Sequence, residues 1–116
     1  MSVVLYHNPR CSKSRAVQSL LAERGVAHTC VEYLNQPLND AALNRLLDQL
    51  DEPAIALVRA SDPLFKALER DAASLSREDI IALLIAQPAL MQRPIVVVND
   101  QARIGRPIEN IERLLP

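Results

Sequence analysis

The residues best suited to chemistry lie in the stretch HNPRCSKSR, where one cysteine follows a short loop. Cys11 stands where a β-branched apolar run gives way to a helical pattern, so backbone N–H groups and the positive end of the helix dipole should face its sulfur. The neighbouring basic side chains are Arg10, Lys13, Arg15 and His7. Such surroundings lower a cysteine pKa from about 8.5 to roughly 3.5–7.5, and the thiolate is the nucleophile. We therefore predict a nucleophilic Cys11, with a structural cysteine at a strand end as the simpler alternative.

Ser14 lies three residues after Cys11, where its hydroxyl or amide can reach the thiolate. We expect His7, Ser14 and Arg15 to tune the pKa of Cys11. Serine cannot form a disulfide, so this motif differs from the C-x-x-C of a dithiol oxidoreductase, and a resolving thiol must come from elsewhere. The spacing from Cys11 to Arg15 also differs from that of the phosphatase loop, in which five residues separate cysteine and arginine.

The second cysteine, Cys30, falls in the apolar run of a predicted strand, where we expect a small buried hydrophobe. A role as resolving thiol is the alternative. Neither His7 with Cys11 nor His28 with Cys30 belongs to a recognisable set of four ligands, so no metal site is predicted.

Composition restricts the class of protein. The chain has 116 residues, 49% apolar and 23% charged, which predicts one soluble globular domain over residues 1–116. With 13 basic and 14 acidic residues, it lacks the charge for broad attraction to nucleic acid or a membrane. The apolar run IIALLIA is far shorter than the roughly 20 residues that span a bilayer. Without an export signal, the expected location is the cytoplasm, where both thiols are free at rest.

The elements that must position Cys11 follow from periodicity and capping residues. Gly25 is placed to end the first helix in a left-handed cap, and Ser76 with Asp79 resembles a capping box. Strands are predicted at 2–6, 27–34, 94–98 and 101–104. Helices are predicted at 12–24, 53–60, 63–70 and 76–87, and two more are predicted to begin at Asn39 and at Pro107. The order is βαβ, a helical insert at about 39–90, a hairpin and a helix. It predicts an α/β fold that resembles thioredoxin, with a mixed sheet flanked by helices.

Three arginines outside the cysteine loop are candidates for binding an anion: Arg59, Arg93 and Arg106. Arg93 immediately precedes Pro94 at the start of a predicted strand, and Arg106 follows the predicted hairpin. A thioredoxin-like topology brings both places near the loop after the first strand, so these two guanidinium groups can converge on Cys11. Guanidinium binds tetrahedral oxyanions through paired N–H donors. Surface salt bridges are the simpler explanation for each arginine.

Several ordered motifs together resemble the glutaredoxin-coupled arsenate reductase family over nearly the whole chain: YHNPRCSKSR, YLNQPL, LVRASDPLFKAL, LMQRPIVV and RIGRP. The resemblance implies a Cys11 nucleophile, an oxyanion held by Arg59, Arg93 and Arg106, and a cis Pro94. It also implies that arsenate is reduced to arsenite with glutathione as co-substrate and glutaredoxin as partner, and that no cofactor is bound.

One departure from the family pattern lies beside the cysteine. Characterised arsenate reductases carry a Gly-Thr pair where this chain has Ser12 and Lys13, a form that resembles an arsenate-reductase-like subgroup. One alternative is therefore a reductase of another small oxyanion or thiol substrate. Another is a noncatalytic regulator similar to the Spx type, which shares the fold and binds RNA polymerase. Those regulators usually have C-x-x-C in this loop, and Ser14 argues against that redox switch.

Overall fold

A four-stranded sheet lies at the centre of the computed structural model, which describes residues 2–115. Its strands are β1 (Val3–Tyr6), β2 (Thr29–Val31), β3 (Ile95–Val98) and β4 (Gln101–Ile104). Their order across the sheet is β2-β1-β3-β4. β1 and β2 run parallel, whereas β1 with β3 and β3 with β4 are antiparallel. The predicted mixed sheet, with a βαβ unit followed by a hairpin, is confirmed.

The register brings four chain segments to one edge of this sheet. Tyr6, the last residue of β1, pairs with Val31 on one side and with Ile95 on the other. Ile95 in turn pairs with Ile104. The loop after β1, the residues after β2, the residues before β3 and the residues after β4 therefore meet at this edge.

The first helix, α1 (Ser12–Glu23), begins and ends as predicted. Its N-cap is Cys11, and the chain turns away at Gly25 with φ +66°. The Val26 N–H donates to the Leu21 carbonyl at 2.9 Å, and the Gly25 N–H donates to the Ala22 carbonyl at 3.1 Å. These two bonds form a Schellman motif, in which glycine adopts the left-handed conformation without a Cβ clash.

Two longer helices between β2 and β3 are capped by the residues that the sequence indicated. α2 (Asp40–Gln49) has Asn39 as N-cap, whose side chain accepts a hydrogen bond from Ala42 N. α4 (Arg77–Ala86) has a complete capping box formed by Ser76 and Asp79. The remaining helices are α3 (Pro63–Lys66), α5 (Glu109–Glu112) and 3-10 turns at Ala54–Leu57, Ala72–Ser74 and Pro88–Leu90. The predicted all-helical insert is confirmed.

The second strand is shorter than the predicted 27–34. Only Thr29–Val31 pair with β1, because β1 itself ends at Tyr6. The chain then turns at Glu32, whose carbonyl accepts hydrogen bonds from the N–H groups of Asn35 and Gln36.

Three predicted helices are also shorter. The segment 53–60 forms only a 3-10 turn, since Val58 leaves it to bridge Met91. The helix predicted at 63–70 ends at Lys66, and Glu69 adopts φ +53°. The helix predicted from Pro107 begins after its N-cap, Ile108, so Pro107 precedes the helix and does not occupy its first turn. The final residue of this predicted helix, 116, lies outside the described residues.

The sheet separates two hydrophobic clusters. Ile95 and Val97 of β3 belong to the larger cluster, which includes most of the apolar side chains of α2 and α4. Val96 and Val98 belong to the smaller cluster with Val17, Leu21 and Ile111 from α1 and α5. β3 is therefore buried on both faces. None of the helices within residues 2–115 has the length and apolar character needed to cross a membrane.

Candidate active site

Cys11 lies at the N-terminus of α1 in an extended conformation (φ −94°, ψ 122°) and is partly exposed. Its own N–H donates to the Asn8 carbonyl at 3.0 Å, which closes the loop that leads from β1 into the helix. The thiol thus occupies the position that Ser, Thr, Asp or Asn usually fills as N-cap. Its sulfur faces the free N–H groups of the first helical turn.

Two opposed effects act on the pKa of Cys11. Burial raises the pKa, but the Ser14 N–H, the Arg93 guanidinium and the Lys13 N–H outweigh burial and lower the pKa below its usual value. The N–H groups of Lys13 and Ser14 point towards the sulfur and stabilise its negative charge, although the Cys11 side chain makes no capping hydrogen bond with them. The thiolate is therefore favoured, as its place in the sequence predicts.

Two of the three predicted anion-binding arginines meet at this sulfur. Nη2 of Arg106 donates to Sγ of Cys11 at 3.5 Å, and its Nε donates to the Arg93 carbonyl at 2.7 Å. The Arg93 guanidinium is close enough to stabilise the thiolate, and its Nη1 makes a long contact of 3.5 Å with the Ala89 carbonyl. The peptide bond between Arg93 and Pro94 is cis, as the family resemblance implied, and so is that between Arg106 and Pro107.

The third arginine, Arg59, is engaged elsewhere. Its Nη1 lies 2.8 Å from Oδ2 of Asp62 in a partly buried salt bridge. Its backbone N–H donates to the Leu90 carbonyl at 2.8 Å, which attaches Arg59 to the segment that leads to Arg93. Within residues 2–115 no hydrogen bond joins Arg59 to Cys11, so the role of Arg59 in anion binding stays a prediction.

His7 and Ser14 stabilise the loop behind the thiol. The imidazole Nδ1 of His7 lies 2.6 Å from the hydroxyl of Ser14, which also accepts the Asn8 N–H at 3.1 Å. The Ser14 hydroxyl is thus used within the loop, and its amide is the group that faces the sulfur. Burial lowers the pKa of His7; Glu32 opposes this change, while Arg15 and His28 add to it. The lowered pKa favours the neutral imidazole at pH 7, and a role for His7 in tuning Cys11 stays a prediction.

Arg15 lies on the outer side of the same loop. Its Nη1 donates to the Pro9 carbonyl at 2.9 Å, and its charge acts on the pKa of His7. Arg15 is not among the groups that shift the pKa of Cys11, so a tuning role for Arg15 stays a prediction.

The prediction that Cys30 is buried is wrong. Cys30 is exposed because β2 is an edge strand, and its sulfur accepts a 3.5 Å contact from Nε2 of Gln18. Whether Cys30 serves as a resolving thiol is not decided by this placement.

Tyr33 is a side chain at the site that the motif analysis did not single out. It is only 1% exposed, its ring packs in the larger cluster, and its hydroxyl has no hydrogen-bond partner among residues 2–115. Burial raises the pKa of Tyr33, with Arg93 and Asn8 opposing the change and the Cys11 charge adding to it. The available signal was a tyrosine near the end of the predicted second strand of a βαβ unit, at the edge where the cysteine loop lies.

Two open grooves flank the cysteine loop. One, of about 420 Å³, is lined by Lys13, Ala16, Gly105, Arg106, Pro107, Ile108 and Glu109. The other, of about 280 Å³, lies against His7, Asn8, Pro9, Arg10, Glu32, Leu34 and Asn35. Within the described residues, no cluster of three or more His, Cys, Asp or Glu is placed to hold a metal ion. The site therefore offers a thiolate beside two guanidinium groups, which suits an oxyanion that a sulfur can attack.

Comparisons with known proteins place this chain among relatives that share its fold. The ArsC family model matches residues 6–114. An arsenate reductase of Neisseria meningitidis serogroup A is 42% identical over 97% of each chain. The uncharacterized protein YfgD of Escherichia coli K12 is 47% identical over 94% of this chain and 92% of its own. The solved structure of an arsenate reductase from Vibrio cholerae superposes with a TM-score of 0.89 and 42% identity, covering 99% of this chain and 98% of that one.

Proposed function

Because this chain belongs to the ArsC family, we propose that it reduces arsenate to arsenite, with the thiolate of Cys11 as nucleophile. One observation carries the proposal: the guanidinium groups of Arg93 and Arg106 converge on the sulfur of a helix N-cap cysteine whose pKa is lowered. Fixed cations beside a thiolate suit a reaction that joins an oxyanion to sulfur, because they neutralise the negative charge of both partners.

In this proposal Arg59, Arg93 and Arg106 hold the arsenate oxygens. Arg93 and Arg106 are already adjacent through the bond from Nε of Arg106 to the Arg93 carbonyl. Arg59 must exchange part of its salt bridge with Asp62 for the anion. The attachment of its backbone to Leu90 keeps it near the segment that carries Arg93, so only the side chain has to move.

The chemistry proceeds by thiol exchange on arsenic. The Cys11 thiolate attacks arsenic, an S–As bond forms, one As–O bond breaks, and that oxygen leaves as water after protonation from solvent. Glutathione displaces a second oxygen as water. The glutaredoxin thiolate then attacks the glutathione sulfur, and the As–S bonding electrons remain on arsenic. Arsenic(V) thereby becomes arsenic(III), a glutathione–glutaredoxin disulfide forms, and water releases arsenite from Cys11.

The groove beside Arg106 supports a place for glutathione. It adjoins Cys11 through the Arg106 guanidinium, and Lys13 adds a second cation to its lining. Glutathione carries two carboxylates, which these cations complement. Glu109 also lines this groove, and its carboxylate complements the charge of the ammonium group of glutathione. Glutaredoxin would approach from this open side.

A coupled turnover assay tests the proposal. Wild type, Cys11→Ser and Cys30→Ser are compared with arsenate, glutathione and glutaredoxin, with each component omitted in turn. We expect arsenite formation that needs all three components, is abolished in Cys11→Ser and is largely retained in Cys30→Ser. Equal losses in both variants would make Cys30 a resolving thiol. Wild-type protein that forms no arsenite would refute the proposed activity, and turnover of another oxyanion in the same assay would redefine the substrate.

A further inference from the structure

Two hydrogen-bond donors are buried at the site without a partner. Among the buried side-chain polar atoms of residues 2–115, only the Tyr33 hydroxyl and Nε of Arg93 lack a hydrogen-bond partner. Buried polar groups are nearly always paired, since an unpaired one loses its hydrogen bonds to water without replacement. Two such groups close together are therefore suited to a shared acceptor, which residues 2–115 do not supply with hydrogen-bond geometry.

The sheet register explains why these two donors are neighbours. Tyr33 lies two residues beyond Val31, and Arg93 lies two residues before Ile95. Tyr6 pairs with both Val31 and Ile95, so the two side chains emerge at the same edge on either side of the loop after β1. The side chains of Asn8 and Arg93 both lie close enough to the Tyr33 hydroxyl to lower its pKa, but neither contact has the geometry of a hydrogen bond. Oδ1 of Asn8 accepts the Arg10 N–H at 3.0 Å.

We propose that the Tyr33 hydroxyl and Nε of Arg93 both donate hydrogen bonds to one oxygen of the bound oxyanion, an inference that rests on the proposed function. Nε–H of arginine is a donor only. A phenol both donates and accepts, and its O–H donates when it faces an anion, so one anion oxygen can accept from both groups. An arsenate oxygen is such an acceptor. Tyr33 is then a binding residue of the site, in addition to the three arginines.

The surroundings of Tyr33 suit a fixed donor. Its ring is enclosed by the larger cluster, where Leu38, Leu43, Leu84, Pro88 and Met91 adjoin it. The hydroxyl therefore needs little reorganisation to meet the anion. Burial keeps the pKa of Tyr33 above its ordinary value, so the phenol retains its proton and does not repel the substrate.

The test compares Tyr33→Phe with Tyr6→Phe. Tyr6 is a matched control because it also packs against the larger cluster, and the same atom is removed. Arsenate affinity of the full chain is measured by titration calorimetry, kcat and KM by the coupled assay, and stability by urea unfolding. For Tyr33→Phe we expect a roughly 10- to 100-fold loss of arsenate affinity, the size expected for one hydrogen bond to a charged group. For Tyr6→Phe we expect affinity within about twofold of wild type.

Stability separates binding from a structural role. Because the Tyr33 hydroxyl has no hydrogen-bond partner within the described part of the chain, its removal should leave the urea midpoint unchanged or raise it. Wild-type affinity in Tyr33→Phe, or a lowered urea midpoint without a loss of affinity, would overturn the proposal. If wild type binds arsenate but does not turn it over, the activity fails while the affinity comparison still decides the role of Tyr33. If wild type binds no arsenate, both proposals are overturned.

Discussion

At the residue scale, the reactivity of Cys11 comes from groups that are far apart in the chain. The amides of Lys13 and Ser14 belong to α1, which begins directly after Cys11. Arg93 precedes β3 and Arg106 follows β4, so these two arginines lie at the two ends of the hairpin. Helix amides alone stabilise a thiolate, and a hydrogen-bonded cation adds to that effect. Arg93 therefore serves two purposes in the proposed reaction: it favours the attacking thiolate and it binds the substrate.

This double role predicts how alkylation of Cys11 depends on pH. Only the thiolate reacts, so the rate rises with pH through the thiol pKa and then levels off. Since the pKa of Cys11 is lowered, the midpoint in the folded protein should lie below that of the urea-unfolded chain. In Arg93→Gln one cause of the lowering is lost, and the midpoint should move up towards the unfolded value.

The measurement uses iodoacetamide on the Cys30→Ser background, so that Cys11 is the only thiol that reports. Arg24→Gln is the matched control, because its guanidinium pairs with Glu112. A midpoint that is unchanged in Arg93→Gln would contradict the assigned effect of Arg93 on the thiol.

At the element scale, the end of β4 holds the two arginines together. Gly105 follows β4, and its N–H donates to the Pro94 carbonyl at 2.8 Å. Arg93 and Arg106 are the next residues on either side of this pair. A Cβ at Gly105 would lie 2.8 Å from Cγ of Pro94, 3.1 Å from Val17 and 3.3 Å from Ile111. The site therefore depends on a close approach that only glycine permits.

Comparison of Gly105→Ala with Gly25→Ala tests this dependence. Gly105→Ala should lower the free energy of unfolding by about 1–3 kcal/mol through overpacking, and it should lower turnover because Pro94 must shift. At Gly25 there is open space but φ is +66°, so Gly25→Ala should lose about 1 kcal/mol and keep its activity. Urea unfolding and the coupled assay provide both values. Full activity in Gly105→Ala would show that the approach of Gly105 to Pro94 does not position the arginines.

At the scale of the whole molecule, β3 joins the two hydrophobic clusters. Its side chains alternate between them, with Ile95 and Val97 on one face and Val96 and Val98 on the other. All four residues are buried. Because one strand is shared, loosening either cluster removes packing from the other. We therefore predict that the chain unfolds as one cooperative unit.

Leu21→Ala tests that coupling from the smaller cluster. Leu21 is fully buried on α1, so the truncation should lower the free energy of unfolding by about 2–5 kcal/mol. Tyr6 and Tyr33 both pack in the larger cluster, and their fluorescence reports on that face. Fluorescence and far-UV circular dichroism should shift together in urea. A fluorescence transition that stays at the wild-type midpoint would mean that the two faces unfold separately.

Much of this molecule was predictable because its signals are local. Capping by Asn39, by Ser76 with Asp79 and by Gly25 depends on residues within one turn, and all three caps form as the sequence predicts. The place of Cys11 between strand and helix is equally local. The resemblance to a known family then added the cis peptide before Pro94.

Only the tertiary structure decided what depends on partners distant in sequence. β2 ends at Val31 because β1 ends opposite it, and Cys30 is exposed because β2 is an edge strand of the sheet that residues 2–115 form. Arg59 faces Asp62, while Arg106 reaches the carbonyl of Arg93 and the thiol. Tyr33 lies near Arg93 because Tyr6 of β1 pairs with both Val31 of β2 and Ile95 of β3. Periodicity and capping report on neighbours within a few residues, whereas the position of a guanidinium or a phenol is set by which strand edges meet in space.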